Sequence, residues 1–118
     1  FQGGQIPSHL QSAGCFELVR QRLTPRGAAF ANVHVKHDFE DYSDRIAKAM
    51  RGAWTDVRVL DAMGICGRNA IVMAGRVSQL RAPDLLVRPQ TGAEGVDNEL
   101  ARLCFRAWKV SRWAFGVG

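Results

Sequence analysis

Residues 57–80, VRVLDAMGICGRNAIVMAGRVSQL, carry two hydrophobic patterns parted by two glycines, and they constrain the fold of this chain more than any other stretch. Val57 and Val59 alternate with Arg58 and Leu60, as in a strand with one face well buried, and the alternation stops at the small residues around Gly64. Beyond the glycines, Ala70, Ile71, Ala74, Val77 and Leu80 recur at steps of three and four, which predicts a helix over 68–80 with Arg68, Arg76 and Gln79 off its apolar side. Gly64 and Gly67 can take positive φ and admit a backbone or phosphate, and the first N–H groups of such a helix lack intrahelical partners. The turn is open to two readings: a tight connection and nothing more, or an anion site in which Arg68 and Asn69 present a cation and an amide donor to a phosphate diester. No Gly-Lys-Ser or Gly-Lys-Thr follows it and the spacing is not that of a dinucleotide fingerprint, so no nucleotide cofactor is expected.

A chain of 118 residues with 47% hydrophobic and 23% charged residues matches one globular domain with a real core. No apolar run approaches the roughly 18 residues of a membrane span. The net charge of +5 favours a polyanionic partner, and thirteen of the sixteen cations are arginine, which grips phosphate bidentately; a GC-rich genome produces the same bias. Cys15, Cys66 and Cys104 lie far apart, which supports neither a zinc ribbon nor a disulfide framework and points to an intracellular, reducing compartment. Phe1-Gln2-Gly3 resembles the residue of a tobacco etch virus protease tag, so residues 1–4 are set aside as a tag remnant.

Residues 5–27 are expected to form a helical extension, with Phe16, Val19 and Leu23 on one face and Pro25 ending it, for docking on the main sheet or on another chain. The main domain then spans 28–118. Val33 and Val35 alternate with Asn32, His34 and Lys36 in a first strand, and Phe39, Tyr42, Ile46, Ala49 and Met50 mark a helix over 41–51 closed by Gly52. After Pro83, residues 85–87 read as a third strand and 90–99 as a long mobile loop. From Leu103 to Phe115 the tail alternates as a strand, with a helix over part of 99–107 as the competing reading. The element order is therefore β-α-β-α-β-β: an α/β sandwich with a four-stranded mixed sheet, both helices on one face and the other face open to a partner.

This order, with Ala31-Asn32-Val33-His34-Val35, residues 57–64 followed by Ala70-Ile71 and Ala74, and Lys109-Val110-Ser111, resembles the Alba superfamily of small nucleic-acid-binding proteins. Residues 64–71, together with Ala82-Pro83-Asp84-Leu85-Leu86, are also similar to the bacterial stage V sporulation protein S family. The resemblance implies nucleic-acid binding and pairing of subunits. The loop His37-Asp38-Phe39-Glu40-Asp41 is acidic where Alba proteins carry a basic pair, which turns the expectation from DNA coating to RNA.

The catalytic inventory is thin. His34 and His37 fall on opposite faces of a strand, and Cys66 has no evident histidine partner, so a non-enzymatic protein without cofactor or metal is expected. The expected function is binding of RNA in preference to DNA, through Lys36, Gly64, Gly67, Arg68, Asn69, Arg76, Arg88, Arg106 and Arg112. The alternative is an interaction module with an incidental basic surface, in a homodimer, heterodimer or larger ribonucleoprotein complex. Its interface would use Phe16, Val19, Leu23, Trp108, Trp113 and Phe115, because Trp108 and Trp113 fall on opposite faces of a strand and one of them needs separate cover.

Overall fold

The computed structural model describes residues 7–106. Helix α1 (Ala13–Arg22) begins where the Ser12 hydroxyl accepts the Cys15 amide at 3.2 Å, and a short 3-10 turn (Ser8–Leu10) precedes it. Strand β1 (Ala28–Val35) follows, then helix α2 (Tyr42–Arg51) and strand β2 (Val57–Asp61). Tyr42, Ile46, Ala47 and Met50 share one buried face of α2, and that face lies on β1, β2 and strand β3 (Arg68–Gly75). Helix α3 (Ala93–Arg102) and the short strand β4 (Cys104–Arg106) complete the described residues.

The sheet has the order β1-β3-β2-β4, and every neighbouring pair is antiparallel. It is an antiparallel sheet, not the mixed one expected. Strands β1 and β2 nonetheless run in the same direction, because β3 lies between them and α2 carries the crossover.

The helix expected over 68–80 is a strand over its first eight residues. Ala70 and Ala74 are four apart, a spacing that satisfies a period of two as well as one of 3.6, and pairing across the sheet decides between them. Ala70, Val72 and Ala74 face the core opposite Val33, Ala31 and Ala29 of β1. The reversal from β2 into β3 uses Gly64 at φ 89° and Gly67 at φ 67°, so the two glycines close a β–β connection and no helix begins there. Gly75 ends β3 at φ 111°, with its α-carbon so close to β1 that an added Cβ would stand 2.5 Å from the Gly27 carbonyl oxygen.

Residues 85–87 form no strand; Leu86 and Val87 are exposed at 102% and 82%. The segment expected as a loop over 90–99 becomes helical at Ala93, and α3 takes in the first residues of the 99–107 segment, for which a helix was the competing reading. One helix, α2, covers the inner face in place of the expected two, and α1 packs against α2 through buried Phe16. The outer face is partly covered as well: Leu60, Met73 and Val77 form a second cluster with Leu103 and Phe105. Arg58 lies over the Phe105 ring at 3.7 Å and donates to the carbonyls of Val77, Ser78 and Leu80.

Candidate functional site

Strand β2 ends on Asp61 with its carboxylate turned to the inner face, where it is 0% exposed. An isolated charge there would be prohibitively expensive, so the sequence must supply cations, and it supplies two. Arg68, the first residue of β3 and 7% exposed, donates from Nε to Asp61 Oδ1 at 2.6 Å and from Nη2 to Oδ2 at 3.1 Å. Arg106 of β4 donates from Nε to Oδ2 at 3.0 Å and continues to Asp44 Oδ1 at 2.8 Å and the Ser43 hydroxyl at 3.1 Å, both at the start of α2. Burial pushes the Asp61 carboxyl up, but hydrogen bonds from Arg68 and Arg106 outweigh it and hold the pKa at about 2.

Arg68 also reaches Asp38 Oδ1 at 2.7 Å and the Ile65 carbonyl at 2.8 Å. Asp38 in turn accepts the Gly64 amide at 3.0 and 3.1 Å, and that N–H, followed by Arg68, draws its carboxyl below the usual range. Gly67 donates to the Lys36 carbonyl at 2.9 Å, and Glu40 Oε2 accepts the Lys36 amide at 2.8 Å. The network thus ties together the two segments, 36–41 and 62–67, that leave the carboxyl ends of β1 and β2. No buried side-chain polar atom lacks a partner among the described residues. Its charges are paired within the network, which braces the two segments.

The solvent side of this brace is the acidic 36–41 segment. Asp41 is exposed and paired with the exposed Arg45 at 3.3 Å, Glu40 is half-buried, and Phe39 is 95% exposed with its ring 6.3 Å from that of His37. Exposed Met63 and Cys66 stand in the facing turn. Among the described residues no group of histidine, cysteine and carboxylate side chains could hold a metal ion, and no helix is long and apolar enough to cross a membrane.

The residues expected to bind nucleic acid come together only in part. Lys36, Gly64, Gly67 and Asn69 are exposed near the carboxyl ends of β1 and β2, whereas Arg76 is exposed past the far end of β3. The guanidinium groups of Arg68 and Arg106 are taken up by the buried carboxylates, and the exposed Arg88 is paired with Asp97. Arg112 lies outside the described residues. Within the Gly64–Asn69 turn expected to contact phosphate, the Gly64 N–H donates to Asp38. Of the expected interface residues, Phe16 is in the core, Leu23 is half-buried and Val19 is 36% exposed, while Trp108, Trp113 and Phe115 lie outside the described residues. Sequence reasoning missed Asp38, Ser43, Asp44 and Asp61. The available signal was Asp61, a carboxylate at an inward strand position next to buried Val59.

No protein-family model and no curated protein sequence matches the chain. Among solved structures it is similar to a probable spermidine synthase from Corynebacterium glutamicum ATCC 13032, with a TM-score of 0.59 and 21% sequence identity. The match covers 98% of this chain and 42% of that one, so the chain spans well under half the length of its structural counterpart. The shared feature is the fold of the matched part of that protein, which is not the Alba fold. The resemblance to the Alba and stage V sporulation protein S families is thereby overturned, since it depended on a second helix where β3 stands. The expectation of a non-enzymatic protein is corrected with it, because the counterpart is an enzyme by description.

Proposed function

We propose that this chain serves as one part of a spermidine-synthase-like enzyme, and that segments 36–41 and 62–67 face an amine-bearing substrate. The reading is carried by one observation: the acidic segment stands at the carboxyl end of β1, beside that of β2. β1 and β2 run in the same direction on either side of β3, so the two segments that leave their carboxyl ends stand at one edge of the sheet. Asp41, whose partner Arg45 is itself exposed, and the exposed Phe39 ring suit a flexible ammonium chain, through charge pairing in exchange for Arg45 and cation–π contact. The Asp61 network contributes by holding both segments at fixed positions. Calorimetric titration with spermidine tests the reading: binding that weakens when Glu40→Gln and Asp41→Asn are combined supports it, and no binding by the unaltered protein contradicts it.

Phosphate recognition is the second reading, favoured by the net charge of +5 and by the exposed side chains of Lys36 and Asn69. It predicts retention of RNA that falls steeply with added salt. A dimer or a larger assembly, with the basic surface incidental, is distinct from this second reading, and sedimentation at several protein concentrations tests it.

A further inference from the structure

A cleft of about 570 Å³ opens at the opposite end of the sheet from the Asp61 network, between the α1–β1 connection, the segment entering β2 and the exit of β3. Its volume is that of a small-molecule site. Arg20 and Arg76 line it, and the guanidinium of Arg76 has no carboxylate partner among the described residues, whereas Arg20 is paired with Glu17. Trp54, half-buried against the core, contributes an indole, and the side chains of Thr55, Ser78 and Gln79 contribute polar groups that make no hydrogen bond to other described residues.

The cleft is held in shape by its neighbours. Arg51 donates to the Trp54 and Thr55 carbonyls at 3.1 and 2.5 Å, fixing that wall. Asp56, the carboxylate of the lining, accepts the Val77 and Ser78 amides at 3.2 and 2.7 Å and so fixes the turn that carries Arg76 and Ser78. Asp56 is thereby occupied by backbone amides, and among the described residues Arg76 is the lining cation without a carboxylate partner.

We propose that this cleft binds an anionic ligand built on a flat ring, of the nucleoside monophosphate class, with its phosphate on Arg76 and its ring against Trp54. Ring and phosphate are both required: the indole offers a stacking face and the guanidinium a bidentate fork. The assignment is independent of the amine-binding reading, since it uses neither the 36–41 segment nor the Asp61 network. Calorimetry with adenosine 5′-monophosphate, adenosine and inorganic phosphate tests it, using the whole chain and the Arg76→Gln variant, whose exposed position leaves the fold intact. The expected result is that adenosine monophosphate binds more tightly than either fragment, and that Arg76→Gln weakens it by about tenfold, the loss of one charge-assisted contact. Absence of binding, phosphate binding as tightly as the nucleotide, or an affinity unchanged in Arg76→Gln overturns the proposal.

Discussion

Arg68 grips Asp61 with two parallel hydrogen bonds of 2.6 and 3.1 Å across the β2–β3 connection, and both residues are buried. The pair welds the end of β2 to the start of β3, and Arg106 extends it to α2. Removing Asp61 leaves two guanidinium groups without their shared carboxylate. Asp61→Ala is expected to lower stability by ~3–5 kcal/mol, measured by urea unfolding. Arg68→Glu, which an exposed position would tolerate, places a third carboxylate against Asp61 and Asp38 and is expected to unfold the protein.

The same pair makes stability depend on acid. The Asp61 carboxyl is lowered from 3.8 to about 2 in the folded state, so its contribution is fully present above pH 3.8 and is lost as pH falls through about 2. The shift corresponds to about 2 kcal/mol. Unfolding free energies measured between pH 5 and pH 2 should show this loss on the way down, and Asp61→Asn should remove that part of the slope.

Gly75 and Gly64 both have positive φ but stand in different surroundings. A Cβ at Gly75 would lie 2.5 Å from the Gly27 carbonyl oxygen, whereas one at Gly64 would meet nothing within 4 Å. Gly75→Ala is therefore expected to cost ~1–3 kcal/mol more than Gly64→Ala, whose cost is backbone strain alone. Thermal melts of the two variants give the comparison.

Ile46 is fully buried where α2 crosses the inner face, against the cluster that contains Val33, Val59 and Val72. Ile46→Ala should cost ~2–5 kcal/mol through lost burial and the cavity left behind. Leu86→Ala, at a fully exposed position, should change the melt little.

The sequence made α1, β1, α2 and β2 legible, because each has an apolar pattern compatible with a single period and a polar or glycine stop. Residues 68–75 were not legible: Ala70 and Ala74 fit both periods, and only pairing with β1 and β2 makes the segment a strand. The run at 85–87 has strand composition but no strand beside it, so composition alone misled there. The Asp61 network joins residues 7 and 45 positions apart, and Arg106 meets Asp44 across 62 positions. Local patterns carry no record of such contacts, and an arginine bound to a buried carboxylate looks in sequence like one kept for phosphate.

Backbone amide signals followed while spermidine is added test whether the carboxyl-end segments face an amine substrate. Shifts are expected to concentrate in residues 36–41 and 62–67, to be reversed by salt and to be reduced in the combined Glu40→Gln and Asp41→Asn variant. Shifts that avoid both segments, or no shifts at millimolar spermidine, would contradict the amine-binding reading.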